Sequence, residues 1–563
     1  MSKYVIGVDF GTLSARALVV NVDTGAELRS AMMDYPHAVM DKQLPDGTKL
    51  PPDWALQHPQ DYMDCLAHVI PEAIRLSDIS ADDVIGIGID FTACTMLPVD
   101  RHMEPLCFDP KYAGNPHAYI KLWKHHAAQQ EANHITAIAK QRNEPFLPRY
   151  GGKISSEWMI PKLYQLLKED PSLYESTHLF VESADWVIHQ LTGTLARNAC
   201  SAGYKALWNK QDGYPTEDFF RAIDPKFANV VDDKLNGALH PMGAKAGEIT
   251  EAAARLTGLK QGIAVAVANV DAHVSFPPSG LTQSGDMLMI MGTSTCHVMV
   301  ADEERMVPGM CGVVEDGVIP GLMGYEAGQS CVGDLFNWFV ECCVPESYAK
   351  EARDHGESLH QLLTRKAQLL TPGESGLLAL DWWNGNRSVL VDVDLTGLLL
   401  GMTLQTKPEE MYRALLEATA FGTRVIFDAF EDSGLPIRRL HACGGISQKN
   451  PLVMQIYADV LGREIRIARS SQTPALGSSI WAAVAAGHYD NVHDAADQMA
   501  GLLDTVYRPI PAHAEVYQSL YQEYLLLHDY FGRGENNVMK RLKRIKEQSI
   551  SSAHIDQHEG GAR

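Results

Sequence analysis

The chain alternates short apolar runs that end in small polar turns with longer stretches of helical spacing. "VIGVDFGTLSARALVV", residues 5 to 20, holds an apolar strand carrying Asp9, a Gly11-Thr12 turn and a second strand from Ala15. "MLMIMGTSTCHVMV", residues 287 to 300, repeats the plan about half a chain later. Its Met287, Met289 and Met291 alternate at strand period, which predicts one core-facing side and no metal site. "VIGIGID", residues 84 to 90, and "IAVAVANVD" predict further strands that end at carboxylates, Asp90 and Asp271. A loop rich in Pro, Gly and His follows the first, from Pro98 to His117.

Helical spacing fills much of the rest. "PKLYQLLKED" has Pro161 where a first helical residue would stand. Residues Pro408 to Gly434 start with proline and acids and stop at glycine, as helix ends favour. The strand "RRLHACGG" leads to a helix with Asn450 as cap, Pro451 as start and Gly462 as stop. "PALGSSIWAAVAAG" is a small-residue helix. From Asn536 a solvated basic helix is expected, and "SSAHIDQHEGGAR" reads as a frayed tail.

At 563 residues the chain should hold more than one domain. "SFPPSG", residues 275 to 280, punctuates the middle like a hinge. The division expected is 1–277, 278–535 and a tail of 536–563. Forty-eight basic against seventy acidic residues give a net charge of −22, which repels nucleic acid and anionic membranes. The start lacks a signal peptide's apolar core, and no run of ~18 apolar residues predicts a membrane span. The ten cysteines show no C-x-x-C spacing, so reduced cytoplasmic thiols are expected.

The paired hairpins point to phosphate. Glycine lets a backbone approach a ligand closely, successive turn amides form an anion nest, and the Thr hydroxyl adds a donor. Asp9 cannot bind phosphate itself but can hold a hydrated Mg²⁺. No Walker loop occurs, and no G-x-S-x-G elbow of a hydrolase. Plain β-hairpins are the alternative reading of both turns.

"VIGVDFGT", "MIMGTSTCH", "CGGISQKNPLVMQIYADVLG" and "PALGSSIWAAVAAG" together resemble the FGGY carbohydrate kinases of the actin-like ATPase superfamily, over nearly the whole chain. "LPPDWALQHPQDY", "GIDFTACTMLPV", "AGYKALW", "GMCGVV", "GYEAGQS" and "LDWWNGNRS" are similar to the members that act on L-ribulose. The resemblance implies an α/β protein of two ribonuclease-H-like domains about a catalytic cleft. The first domain would bind mainly sugar and the second mainly ATP, with Mg²⁺. The activity implied is ATP-dependent phosphorylation of L-ribulose at its terminal hydroxyl, in arabinose breakdown. Another ketopentose or a pentitol is the nearest rival substrate. A sugar-independent, actin-like or chaperone-like ATPase is the distant rival. A homodimer is a suggestion of the family alone.

Under that resemblance Asp271 is the catalytic base; its other reading is a helix cap for "AHVSF". Lys205 and Glu326 become sugar contacts, where a lone Lys or Glu would otherwise read as surface. Trp123 becomes a platform for the sugar's C–H face, or else a core residue, and Ala93 lends backbone to the pocket. Gly11, Thr12, Gly292 and Thr293 meet phosphates. Gly444 and Gly445 allow close approach of a nucleotide, or else form an ordinary turn, and Asn450 brings a helix N-terminus. Ala475, Gly477 and Ser478 make room for adenine, or else serve helix packing. His125 and His126 stand where relatives often carry Asp-Arg and are read as surface. Sugar specificity is expected from the first half of the chain.

Overall fold

A computed structural model describes residues 2–559. Two seven-stranded sheets organise it. The first is built from β1 (Tyr4–Phe10), β2 (Ser14–Asn21), β3 (Glu27–Asp34), β4 (Val84–Phe91), β5 (Lys245–Glu248), β6 (Ala264–Ala266) and β7 (Asn269–Val270). Its order is β5-β6-β4-β1-β2-β3, with β7 also on β4. The second contains β8 (Asp286–Met291), β9 (Thr295–Ala301), β10 (Gly312–Glu315), β11 (Met323–Gln329), β12 (Arg439–Cys443), β13 (Ile465–Ala468) and β14 (Leu502–Tyr507). It runs β10-β11-β9-β8-β12-β13-β14.

The two sheets share a plan. In each, an antiparallel hairpin (β1–β2, β8–β9) gains an antiparallel neighbour on its second strand and a parallel one on its first. The Gly-Thr turns thus stand at the same place in both. The parallel partners require crossovers, because their ends lie at opposite edges. β1 and β8 are buried and apolar along most of their length, as strands covered on both faces must be.

Nine helices matter for the site or its frame: α1 (Pro59–Ser77), α2 (Met159–Glu169), α3 (Ala199–Lys205), α4 (Asp271–Val274), α5 (Gly333–Cys342), α6 (Pro408–Asp432), α7 (Pro451–Leu461), α8 (Thr473–Ala485) and α9 (Val538–Glu559). The predicted helix at 408–434 is α6. For α7, Asn450 caps with its side chain on the Val453 N–H and Gly462 closes in the left-handed region, as predicted. α2 starts two residues before Pro161, which still sits in the first turn, where its missing N–H costs nothing. The basic helix is α9, and it continues to Glu559 through most of the segment read as a frayed tail; residues 560–563 lie outside the described residues. No helix among the described residues is long and apolar enough to cross a membrane. All ten cysteines are free.

Insertions in the first half build a small four-stranded sheet of Leu56–Gln57, Ile120–Lys121, Met96–Val99 and Leu179–Glu182, with α2 packed beneath a core of its own. A further apolar cluster is shared by both halves. It joins Val5, Tyr204 and Val274 to Leu288, Val314 and Trp481.

α8 is the element that ties the halves together. It follows β13 of the second sheet yet lies on β1 and β4 of the first. A Cβ added at Gly7 would come within 1.8 Å of the Ala475 carbonyl, and one at Gly88 within 2.1 Å of the Ser478 carbonyl. Gly477 in turn faces the Val274 carbonyl, which its Cβ would approach to 1.9 Å. The small residues of this helix therefore serve packing against the first half, and the adenine reading of Ala475, Gly477 and Ser478 is replaced.

This contact inverts an ordinary preference. Gly to Ala inside a helix normally gains ~1 kcal/mol. Gly477→Ala should instead lose about 1–3 kcal/mol through overpacking. Urea unfolding measures it, and a stabilised variant would reject the close approach.

Candidate active site

Asp9 lies near the end of β1, opposite Asp90 on β4, and Asp90 in turn pairs with Asn269 on β7. Two residues on, Asp271 opens α4. Strand register thus gathers three carboxyls at the C-terminal ends of the central strands of the first sheet. Asp90 is fully enclosed, and its Oδ2 accepts from the Ser478 hydroxyl of α8 at 2.6 Å. Burial raises the carboxyls of Asp9 and Asp90, and Asp90 goes well above the usual range with Asp9 beside it. Asp271 is pushed up to about 7, by burial first and by Asp9 next. A carboxyl there is well matched to proton transfer near neutral pH. Asp271 is not the helix cap: Val270 holds that position, and the Asp271 Oδ1 accepts the N–H of Ala272, at 2.7 Å.

Each Gly-Thr turn is closed by its own backbone. The Gly11 N–H donates to the Ser14 carbonyl at 3.0 Å, and the Gly292 N–H to Ser294 at 2.9 Å. The first turn is braced from outside. Gln57 donates to the Thr12 carbonyl at 2.8 Å, and the Trp123 indole N–H to the Thr12 hydroxyl at 3.1 Å. The second is braced by the start of α5, whose Gly333 N–H meets the Gly292 carbonyl at 3.1 Å. Gly444 lies against the same turn. Its φ is 93°, and a Cβ there would fall 2.5 Å from the Met291 carbonyl. Only glycine fits both demands. Gly445 begins the next short helix in open space. Asn450 stands at the start of α7 with its side chain used in the cap.

Two of the predicted sugar residues, Lys205 and Glu326, meet at one carboxylate. The Lys205 ammonium, at the end of α3, sits 2.9 and 3.1 Å from the two oxygens of Glu326 on β11. Arg387 donates to Glu326 Oε1 at 2.7 Å, and His273 Nε2 lies 3.4 Å from Oε2. Burial alone would raise Glu326, but Lys205, His273 and Arg387 outweigh it and hold the carboxyl well below its usual range. His273 is two residues from Asp271, so α4 links the base to the Glu326 cluster. A cavity of about 560 Å³ opens beside Lys205 and Arg387, floored by Tyr150 and Trp158. That is within the size range of small-ligand sites.

Glu326, within the second domain expected at 278–535, lies on the second sheet, so its pair with Lys205 joins the two halves. One expectation is corrected. His125, read as surface, is fully buried; its Nε2 meets Gln165 Oε1 at 3.0 Å, and its Nδ1 accepts the Ala55 N–H at 3.4 Å. His126 is half exposed beside Glu157. Trp123 is 37% exposed, which removes the core reading. Ala93 lies in the loop after β4. Sequence reasoning missed Asp90, His273, Gly333 and Arg387 as parts of these clusters. Arg387 stood in the quoted "LDWWNGNRS" and His273 beside Asp271, but neither shows its partner without the fold.

The family models for FGGY carbohydrate kinases match this chain, the N-terminal domain over residues 4–276 and the C-terminal domain over 287–486. The chain belongs to the FGGY family of carbohydrate kinases. It is 57% identical over 551 residues to a ribulokinase of Anoxybacillus flavithermus, covering 97% of each chain. It is 56% identical to a ribulokinase of Shouchella clausii, over 98% of this chain and 100% of that one. Its fold matches a ligand-bound xylulose kinase from Lactobacillus acidophilus with a TM-score of 0.78, covering 94% and 99% of the two chains at 18% identity. The protein is thus a two-domain carbohydrate kinase of mixed α/β architecture.

The Glu326 cluster predicts an asymmetry in stability. Lys205→Met leaves Glu326 its Arg387 and His273 partners. Glu326→Gln leaves the buried Lys205 ammonium without its carboxylate and should cost more, on the order of 3–5 kcal/mol. Urea unfolding of both variants checks the order, and a larger loss for Lys205→Met would reject it.

Proposed function

We propose that this kinase transfers the γ-phosphoryl group of ATP to the terminal hydroxyl of L-ribulose, giving L-ribulose 5-phosphate and ADP for arabinose breakdown. The observation that carries this reading is the link, through α4, of the Asp271 carboxylate to the Glu326–Lys205–Arg387 cluster. The ribulokinase relatives favour a ketopentose as the sugar.

In this reading Glu326 accepts from sugar hydroxyls and Lys205 donates to them, while Trp123 and Ala93, outside the lining of the cavity beside Lys205, contact the sugar from the first half. A polar site of this kind rejects poorly matched sugars, because its own groups are left unpaired. Asp271 orients the terminal hydroxyl and takes its proton as the oxygen bonds to the γ-phosphorus. The bond from that phosphorus to the β–γ bridging oxygen breaks, and ADP leaves. The turns at Gly11-Thr12 and Gly292-Thr293 supply amides and hydroxyls to the phosphates, and Gly444-Gly445 let the nucleotide approach.

Asp9 and Asp90 fit a hard cation in one respect: two carboxyls face each other, and among the described residues no other side chain or backbone N–H donates to Asp90 Oδ1. Asp9, the less enclosed of the two, would hold Mg²⁺ through water. The ion would neutralise phosphate charge. A cytoplasmic homodimer completes the proposal, and sedimentation would test its assembly.

The sugar is tested by ATP consumption with L-ribulose, D-ribulose, L-xylulose, D-xylulose and glycerol. L-ribulose should give the highest kcat/KM; equal turnover without sugar would instead favour a bare ATPase. Asp271→Asn should lower kcat by ~10²–10⁴, or roughly 3–5 kcal/mol of barrier. Its melting temperature should hardly move, because asparagine can accept the same Ala272 N–H. Near-normal turnover in that variant would reject Asp271 as the base.

A further inference from the structure

α2 places a lysine where few lysines are tolerated. Lys162 is fully buried, and its Nζ donates to the carbonyls of Cys94 at 2.6 Å and Leu122 at 2.8 Å. Cys94 follows Ala93, and Leu122 precedes Trp123. One ammonium therefore binds the two segments that carry the two wall residues of the proposed sugar pocket. Among the described residues it is the one side chain bonded to both.

Removing an ammonium from water is expensive, and apolar side chains of similar volume often stabilise a core better. Packing alone does not call for a lysine here. An apolar replacement would leave two buried carbonyls short of a donor, at a cost set by their desolvation.

Each segment needs holding. Cys94 has a φ of 59°, an uncommon conformation for a side chain with a Cβ. Such residues persist only where the surroundings over-determine them. The Thr92 and Thr95 hydroxyls pair at 2.8 Å, and the Ser183 N–H meets the Thr95 carbonyl at 2.7 Å. Those bonds fix the loop to its own neighbours, and Lys162 fixes it to the Trp123 segment. The Leu122 carbonyl belongs to the peptide plane that carries the Trp123 N–H, so the bond from Lys162 orients that plane.

The next turn of α2 continues the pattern. Gln165 accepts from the Lys121 ammonium at 2.8 Å and meets His125 at 3.0 Å. The same helix face thus grips residues on both sides of Trp123. Trp123 passes the constraint on to the Thr12 hydroxyl.

We propose that Lys162 is a positioning residue of the sugar site, which sets the separation of Ala93 from Trp123 without touching the substrate. This rests on the reading of those two residues as sugar contacts.

The test uses the full chain with Lys162→Met and Lys162→Gln. A misplacement of about 1 Å can cost ~10²-fold in a positioned reaction, so KM for L-ribulose should rise at least ~10-fold in Lys162→Met. KM for ATP should stay within about twofold, since the Gly292 and Gly444 cradle is untouched. Quenching of tryptophan fluorescence by L-ribulose should weaken in parallel. Lys162→Gln keeps N–H donors on a shorter, uncharged side chain and should fall between wild type and Lys162→Met. A role in stability alone predicts a lower melting temperature with both KM values unchanged, and that result overturns the proposal. Failure of both variants to fold also overturns it, in favour of a structural lysine. Trp123→Ala separates the proposal from its premise: an unchanged sugar KM there removes Trp123 from the site, and the proposal with it. A wild-type chain that does not use L-ribulose would instead overturn the proposed function.

Discussion

The contact of α8 with β1 and β4 is the constraint on which the rest depends. A helix normally stands off a sheet by the depth of its side chains. Here Gly7, Gly86 and Gly88 remove those side chains at three points, and backbone meets backbone. The helix belongs by sequence to the second half and by packing to the first. It carries Ser478 onto Asp90 and holds the Val274 end of α4. Since α4 begins with Asp271 and includes His273, the position of the proposed base is set by a helix from the other half of the chain.

Charge is distributed with the same economy. The chain as a whole repels anions at −22, so a phosphate ligand must be met by local donors. Under the proposed function those donors are mostly backbone, at two turns that cost no buried cation, and the buried cations go to the proposed sugar side instead. Lys205 and Arg387 are balanced by Glu326, while Lys162 is balanced mainly by carbonyls, with the more distant Glu182 and Glu157 adding to its hold on a proton; burial still lowers it to about 8. Two ways of making a buried lysine tolerable thus lie side by side: an ion pair where a substrate hydroxyl could compete, and carbonyl capping where nothing should move.

What was legible in the sequence had local causes. Strand alternation and Gly-Thr turns showed both hairpins, proline and glycine showed the ends of α6 and α7, and Asn450 showed its cap. Each rests on residues within one turn or one strand. The misreadings share the opposite cause. Whether His125 is surface depends on α2 arriving over it with Gln165. That Glu326 meets Lys205 depends on α3 of the first half reaching β11 of the second. Whether Ala475 makes space or fills it depends on glycines some 390 to 470 residues away along the chain. Lys162 was quoted within its helix and passed over, because a lysine beside a proline carries no sign of two distant carbonyls. Family resemblance bridged part of this gap for Asp271, Lys205 and Glu326, whose positions meet around one carboxylate and one short helix. It offered nothing for the residues that hold them.

The shared apolar cluster and the Lys205–Glu326 pair also fix where the halves can part. Separating them on that side would expose Val5, Val274, Leu288 and Trp481 and strip a buried carboxylate of its partners. At ~25 cal/mol per Å² of apolar surface, with unpaired charge added, that opening is steeply uphill. Among the described residues the two Gly-Thr turns are joined by no such seam: Gly11-Thr12 is braced by residues of the first half and Gly292-Thr293 by those of the second. Relative motion of the halves is therefore cheapest as a pivot about α8 and the Glu326 cluster, with the two turns swinging toward or away from each other. A nucleotide bridging both turns would favour the closed end of that swing, while the sugar side stays assembled throughout.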